Sequence, residues 1–284
     1  MTLRGKVAIV GIGEVPTRRT YPGRSNYGLA AEATRLAIQD AGIRKEDING
    51  IVADGGLVPA LMAQYIGIRP TFATSVNIAG ASGVGAVILA ASAIEAGLCD
   101  TVLVTLASAR DPDAGGGGGG GGGVGGALTP EWEVPYGLAA GMNTGYGMMY
   151  MRHMHEFGTK PEQLAKMAVD QRFNALKNPN AVFHDQPITI QDVLNSRYIN
   201  YPLHILESVM PCAGAAACIV TTAERAKALP NRGAYLLGAG MEMGTVLYWE
   251  SPRLTTAPSK VSAARAFQMA GYSPKDMQFA EFYD

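Results

Sequence analysis

The order of apolar segments along the chain predicts an α/β fold, because short β-branched runs alternate with longer segments of helical periodicity. The run TVLVTLA at residues 101–107 shows no alternation, as expected for a strand covered on both faces of a sheet. The chain has 284 residues, of which 48% are hydrophobic and 17% charged. It is therefore long enough to bury a large core and too apolar for a disordered chain.

Short apolar runs that end at glycine or at turn residues predict strands at 7–10, 48–53, 75–77, 101–107, 213–221, 234–241 and 277–282. Amphipathic or uniformly apolar segments predict helices at 27–41, 57–66, 84–96, 138–157, 162–176, 190–194 and 259–270, with a small helix starting at 222. Gly42 is a suitable C-cap for the first helix, and Pro161 opens the helix at 162–176.

The region from 108 to 136 interrupts this pattern. Nine consecutive glycines at Gly115–Gly123 fit no packed element. They predict a flexible loop, or they stand for residues that were not identified. No chemistry is assigned to them.

Composition excludes several classes of function. With 23 basic and 24 acidic residues, the formal net charge is −1, so the chain has no electrostatic attraction to nucleic acid or to an anionic membrane. No secretory signal and no uninterrupted apolar stretch of roughly 20 residues is present, which predicts a cytoplasmic protein without a membrane span. Three scattered cysteines predict neither a disulfide framework nor a metal site.

Two segments of the chain share one pattern. Residues 30–54 and 259–283 match at a constant offset of 229, with Gly42 corresponding to Gly271 and Asp47 to Asp276. Each is a predicted helix, a glycine stop, a turn that ends in aspartate, and a strand. Coincidence and duplication remain equally open on this pattern alone. Under duplication, the chain would end soon after the start of a second half, so that half would be truncated.

Several segments resemble the thiolase superfamily, in particular its sterol-carrier-like, lipid-transfer branch. KVAIVGIGEVP is similar to the opening strand of the family, and SVNIAGASGVGAVILAASAIEAGLCDTVLV to its nucleophile loop, buried helix and next strand. PLHILESVMPCAGAAACIVTTAERA and AEFYD resemble later family segments. The resemblance implies a duplicated βαβαβαββ fold in α-β-α-β-α layers. Residues 1–250 would form the first half, including a cap region at 108–205, and 251–284 the start of the truncated second half.

The nucleophile loop departs from the family. The thiolase cysteine corresponds to Gly80, which has no side chain that can attack a thioester. Ser82 is a possible substitute, but a helix-capping role is the more common use of such a serine. We expect Gly80, Ala81, Ser82 and Gly83 to bind substrate, with their N–H groups available to a thioester oxygen, although small residues also serve close helix packing. Cys99, Cys212 and Cys218 are interpreted as structural residues.

Within the superfamily, a chain with glycine at this position resembles the retro-aldolases of steroid side-chain breakdown. The resemblance implies a lyase that cleaves a β-hydroxyacyl-CoA in complex with an OB-fold partner of the DUF35 type. It requires no cofactor beyond the coenzyme A of the substrate. Tyr283 is the candidate catalytic acid or base, although an ordinary buried tyrosine is the alternative. A homodimer through the strand at 75–77 is also implied. A degenerate acyl-CoA-binding or scaffold subunit is the alternative function, and a thiolase-type acyltransferase is less favoured.

Overall fold

A computed structural model describes residues 2–54, 56–110, 135, 142–244 and 251–282. The strands are β1 Val7–Arg18, β2 Gly50–Asp54, β3 Phe72–Ser75, β4 Thr101–Ser108, β5 Tyr198–Asn200, β6 Leu203–His204, β7 Ala213–Thr222 and β8 Ala234–Tyr235. The α-helices are α1 Asn26–Ala41, α2 Pro59–Ile66, α3 Ser82–Glu95, α4 Met142–Phe157, α5 Pro161–Ala175, α6 Ile190–Asn195, α7 Ala223–Lys227 and α8 Ser259–Ala270.

The described residues form two compact units. The first comprises those within Met1–Gly119, Cys212–Glu242 and Ser259–Asp284, and the second those within Gly120–Pro211 and Met243–Pro258. The first unit contains a six-stranded mixed sheet in the order β3-β2-β4-β7-β1-β8. Strand β2 is parallel to β3 and β4, whereas β7 is antiparallel to β4 and β1. The predicted α/β class is confirmed.

Helices cover the sheet of the first unit on both faces. The apolar stripe of α1, which includes Leu29, Ala33 and Ala37, packs with α2 in one core cluster. Helix α3 packs in the second cluster with Val102 and Val104 of β4. Its uniformly apolar sequence is explained by this position, because alanines on several sides of the helix are buried.

A β-bulge in β1 decides which side chains face which helix. Ile9 pairs with Val220, but Gly11 pairs with Ile219, so β1 contains one extra residue. As a result Val10 and Gly11 are both on the α1 side, whereas Ile12 lies on the opposite side with an exposure of 66%.

The glycines that follow the bulge allow α1 to approach the backbone of β1. A Cβ atom at Gly13 would lie 2.1 Å from the carbonyl oxygen of Ala33, and one at Gly11 would lie 2.4 Å from that of Ala37. Only glycine fits at these two positions, because the obstructing atoms belong to backbone and cannot move as a side-chain end would.

The same arrangement recurs in the second repeat. A Cβ atom at Gly238 would lie 2.1 Å from Ala266 O, and one at Gly240 would lie 2.0 Å from Ser262 O of α8. Ala266 and Ser262 are the residues that correspond to Ala37 and Ala33 at the offset of 229.

The helix ends of the two repeats also match. Gly42 and Gly271 both adopt a left-handed conformation, with φ of 66° and 68°. Asp47 and Asp276 both accept a hydrogen bond from a backbone N–H three residues earlier, at 3.0 and 2.7 Å. These shared contacts support duplication over coincidence.

Several predicted elements differ from the structure. Strand β1 extends to Arg18 rather than Val10, because it pairs with β7 through its glycines. Strand β3 ends at Ser75, so the predicted strand at 75–77 is displaced towards the N-terminus. Strand β8 covers only 234–235 of the predicted 234–241, and 277–282 forms no strand. Strand β8 pairs with β1, but residues 237–241 and 277–282 have no strand pairing among the described residues, so their apolar pattern alone does not make them strands.

The second unit consists of α4, α5, α6 and the short β5–β6 pair. Its anchors include Ala165 and Val193, which are fully buried. His204 is also buried, and its Nδ1 lies 2.6 Å from Ser196 O while its ring lies 4.1 Å from that of Tyr198. Helix α4 begins at Met142, and the predicted start at 138 lies outside the described residues.

We expect Gly13→Ala to lower the free energy of unfolding by about 1–3 kcal/mol, because the added methyl group collides with the backbone of α1. Chemical denaturation measures this change. Gly214→Ala is the matched control, since a Cβ atom there meets nothing closer than 3.6 Å. Equal stability of the two variants would contradict the close approach.

Candidate active site

A groove of about 390 Å³ lies on the sheet face of the first unit where α3 begins. Its lining is contributed by β1, β4, β7 and the first turn of α3, namely Ile12, Gly13, Glu14, Gly83, Val104, Leu106, Ala216, Ala217 and Cys218. The groove exists because α3 covers the sheet only as far as its own N-terminus. Beyond it, Ile12 and Leu106 are left exposed, by 66% and 37%. Such an apolar concavity is where small molecules bind most often.

The loop before α3 is held in a tight conformation. Ala79 has a φ of 53°, which is rare for a residue with a side chain. The Ser82 hydroxyl accepts a hydrogen bond from Ile78 N at 2.9 Å and donates one to Ala79 O at 2.7 Å. These contacts fix the turn and place the first residues of α3 against Leu106, whose Cδ2 lies 3.9 Å from where a Gly83 Cβ would be.

Ser82 therefore neither caps α3 nor is available as a nucleophile, which were the two roles considered from the sequence. It is the first residue of α3 rather than its N-cap, which is Ala81 and has no side-chain capping bond. Its side chain is also buried, with an exposure of 3%, and both hydrogen-bonding directions are satisfied by the loop. Ser82 shapes the loop, and its oxygen is not directed at the groove.

The first turn of α3 supplies hydrogen-bond donors at the groove. The initial N–H groups of an α-helix have no acceptor within the helix, and they carry the positive end of its dipole. Gly83 lines the groove, and Gly80 and Ala81 are exposed beside it. Because glycine has no side chain, an oxygen atom can approach these N–H groups closely, as an oxyanion hole requires.

Glu14 is a groove residue that the sequence analysis did not single out. It is exposed and contributes the one carboxylate among the described lining residues. Its position follows from the bulge in β1, which sets Ile12 and Glu14 on the groove face. The bulge leaves no clear signal in the sequence, so the orientation of Glu14 depends on the strand pairing.

The cysteines are poor nucleophiles. Burial raises the pKa of Cys218, which lines the groove, to about 11. Burial also raises the pKa of Cys99, with a smaller contribution from the charge of Asp100. The pKa of Cys212 is raised by burial as well, although Arg110 and Arg19 oppose the shift. The reactive thiolate form is therefore scarce at neutral pH.

The tyrosine in the second unit with a perturbed pKa is Tyr150. Burial raises its pKa to about 12, and the charges of Glu207 and Glu162 add to the effect. Its hydroxyl donates to Lys160 O at 3.3 Å. Tyr150 is therefore protonated near neutral pH.

Tyr283, the candidate acid or base from the sequence, lies outside the described residues. The assignment of substrate binding to Gly80, Ala81, Ser82 and Gly83 also stays a prediction. Among the side chains that the structure describes, no three or more of the metal-ligating types are grouped as a metal site. No helix in the described ranges has the length and apolarity to cross a membrane.

Comparison with known proteins finds long matches. A steroid side-chain-cleaving aldolase from Thermomonospora curvata is 31% identical over 99% of this chain and 75% of its own length. An acetyl-CoA acetyltransferase from Methanothermobacter thermautotrophicus is 30% identical over 98% of this chain and 73% of its own. The solved structure of an Ltp2–ChsH2(DUF35) aldolase has a TM-score of 0.87 and 29% identity, covering 96% of this chain and 72% of that one. No protein-family model matches.

We expect alkylation by iodoacetamide at pH 7 to be slow at all three cysteines, because each has a raised pKa. The thiol is neutral below its pKa, so labelling should increase as the pH rises, and Cys218 should require the most alkaline conditions. Peptide mass spectrometry against free cysteine as a control measures the rates. One cysteine that reacts faster than free cysteine at pH 7 would contradict this.

We expect Ser82→Ala to reduce the free energy of unfolding by about 1–3 kcal/mol, because it removes the groups that satisfy Ile78 N–H and bind Ala79 O. Chemical denaturation of Ser92→Ala is the control, since that hydroxyl only donates to Ile88 O on a regular helix. If Ser82→Ala were as stable as the control, the loop would not depend on this hydroxyl.

Proposed function

The chain belongs to the thiolase superfamily, and on that premise we propose that it is a lyase that cleaves a β-hydroxyacyl-CoA by a retro-aldol reaction. The observation that carries the proposal is the groove at the start of α3, which combines N–H donors with the absence of a cysteine from residues 76–98. Acyl transfer needs a nucleophile at this place, whereas a retro-aldol cleavage needs only a base and an oxyanion hole.

The relatives support this reaction class. Among them are a steroid side-chain-cleaving aldolase and the structurally similar Ltp2–ChsH2(DUF35) aldolase, which are 31% and 29% identical to the chain. The acyl group of the substrate is proposed to be of the steroid side-chain type, since that is the group named for the first of these proteins.

The proposed reaction begins when a base removes the proton from the β-hydroxyl group. An electron pair on the resulting alkoxide oxygen forms the C=O bond of a ketone, the bond between the α and β carbons breaks, and the electron pair of that bond moves into the thioester as an enolate. We assign stabilisation of that oxyanion to the N–H groups of Gly80, Ala81 and Gly83 at the start of α3, because the N–H of Ser82 already donates to Ala79 O. Protonation of the α carbon then releases a shorter acyl-CoA.

We propose one residue that transfers the proton and another that binds the hydroxyl group of the substrate. Tyr283 remains the candidate acid or base, on the resemblance of AEFYD to the family. Glu14 is proposed to accept a hydrogen bond from the substrate hydroxyl, since it is an acceptor beside an otherwise apolar lining.

Partners of the chain are also proposed. The Ltp2–ChsH2(DUF35) aldolase suggests a DUF35-type OB-fold protein as a partner for this chain. A homodimer is proposed through β3, which is an edge strand of the six-stranded sheet and has one side without a partner among the described strands. We propose a cytoplasmic location for the complex.

Acetyl transfer is the function that the similar acetyl-CoA acetyltransferase from Methanothermobacter thermautotrophicus suggests. It is less favoured, because the loop before α3 contains no cysteine and Cys218, which lines the groove, has a pKa raised to about 11. A non-catalytic acyl-CoA-binding subunit shares the groove but predicts no turnover.

The test uses the full chain, alone and with a DUF35 protein, incubated with a steroid β-hydroxyacyl-CoA whose hydroxyl is tertiary. We expect equal amounts of a ketone and a shortened acyl-CoA by mass spectrometry. The matching substrate without the hydroxyl should stay intact. Binding of substrate without products in either preparation would favour the non-catalytic function, and an acylated protein would favour acyl transfer.

We expect Tyr283→Phe to lower kcat by about 10²–10⁴-fold, the contribution of a positioned acid or base. Tyr272→Phe is the control, because Tyr272 is a half-exposed residue beside Arg4 and away from the groove lining. Steady-state cleavage kinetics compare the two variants. If both variants kept full activity, Tyr283 would have no part in the mechanism.

A further inference from the structure

The floor of the groove is formed by β7, which lies between β4 and β1 in the sheet. Ala216 is exposed, whereas Ala215 and Ala217 on either side of it are buried in the cluster on the α1 side. This alternation directs the methyl group of Ala216 into the groove. The floor at this point is therefore a strand backbone that carries one small side chain.

Larger side chains lie on both sides of Ala216. In the cross-strand register, Ala216 is directly opposite Leu106 of β4 and directly opposite Glu14 of β1, and both neighbours line the groove. Strands β1 and β4 are two strand spacings apart, or roughly 10 Å. Ala216 therefore forms a gap between a leucine on one wall of the groove and a carboxylate on the other.

The next row of the sheet, towards α3, has less free space. Cys218 lies there between Ile12 and Val104. Val104 is buried in the cluster that contains α3, and Cys218 packs against the same cluster. The open part of the floor is therefore at Ala216 rather than at Cys218.

The floor at Ala216 is also rigid. Strand β7 pairs with β4 and with β1 on its two sides, and its other face packs in the cluster that contains α1. A strand held in this way cannot recede to make room for a larger side chain, because protein interiors are close-packed. A larger residue at position 216 would thus project into the groove.

The reacting groups of the proposed substrate place its hydroxyl-bearing carbon above Ala216. Gly83 lies at one wall, since a Cβ atom there would be 3.9 Å from Leu106 Cδ2, and Glu14 lies at the other wall. With the thioester oxygen at the N–H groups that begin α3 and the hydroxyl at Glu14, the β carbon is between the two walls. In a tertiary alcohol this carbon carries two further substituents, and one of them then turns towards the floor.

We propose that Ala216 is a specificity-determining residue whose small side chain admits a bulky substituent on the half of the substrate that becomes the ketone. The proposal rests on the proposed function, because it takes the groove to be the place of the retro-aldol reaction. A larger residue would fill the gap between Leu106 and Glu14 and leave room for short substituents alone. The residue at position 216 thereby selects among substrates that share the same reacting groups.

The test compares two tertiary β-hydroxyacyl-CoA substrates on the full chain. β-Hydroxy-β-methylbutyryl-CoA would release acetone, and a steroid β-hydroxyacyl-CoA would release a polycyclic ketone. The measured quantity is the ratio of kcat/KM for the steroid substrate to kcat/KM for the short one. For Ala216→Leu we expect this ratio to fall at least about tenfold, because the substrates differ in size but not in the reacting groups. Ala216→Val, which introduces a good strand former, should give a smaller fall.

A size swap separates loss of space from misfolding. Ala216→Leu/Leu106→Ala keeps the summed volume of the cross-strand pair and moves the gap to the neighbouring strand, so it should recover most of the lost ratio. Ala264→Leu is the control, since it adds the same group at an exposed position of α8 that is not part of the groove lining. It should leave the ratio unchanged.

Two outcomes would overturn the role of Ala216. The first is a ratio in Ala216→Leu that equals the ratio in Ala264→Leu, including an equal loss of activity on both substrates. The second is a size swap that recovers none of the lost ratio, since the free volume between the walls would then not decide the selection.

Binding measurements distinguish this role from the lyase reaction. Calorimetry gives the affinities of the full chain and of Ala216→Leu for the same two thioesters without their hydroxyl groups. An affinity ratio that falls in Ala216→Leu, in a chain that cleaves neither substrate, would reject the reaction and keep the role of Ala216 in binding. Cleavage of both substrates with an unaltered ratio would reject the role of Ala216 and keep the reaction. A chain that neither binds nor cleaves either thioester would overturn both.

Discussion

The contact on which the rest of the first unit depends is the backbone approach between β1 and α1. Gly11 and Gly13 come so close to the carbonyl oxygens of Ala37 and Ala33 that no side chain fits between them. Strand alternation puts both glycines on one face of β1, and the bulge after Ile9 makes that face the one towards α1. The bulge then places Ile12 and Glu14 on the other face, so the packing of α1 on one side of the sheet determines the lining of the groove on the other.

The loop before α3 completes the groove by backbone geometry rather than by a reactive side chain. Ser82 uses its hydroxyl within the loop, Ala79 adopts a left-handed conformation, and Gly83 in the first turn of α3 lines the groove. Backbone N–H groups of this kind can stabilise negative charge on an oxygen atom, whereas Cys218, the cysteine among the described lining residues, has a pKa raised to about 11. This combination explains why a carbon–carbon cleavage suits the groove better than acyl transfer.

The sequence by itself determined the alternation of strands and helices, the helix ends at Gly42 and Gly271, and the absence of a cysteine before α3. These features are local, because periodicity, a glycine cap and a missing residue type can be seen without knowing the neighbours. The sequence also revealed the repeat at an offset of 229, although its meaning required the matching contacts of Gly238 and Gly240 with α8.

Only the tertiary structure decided the length of β1, the absence of a strand at 277–282, the internal role of Ser82 and the placement of Glu14. A strand exists only through hydrogen bonds to a neighbour, so its extent depends on residues such as those of β7 that are distant in the chain. One extra residue in β1 exchanges the faces of the side chains that follow, and that exchange is fixed by cross-strand register rather than by any local pattern.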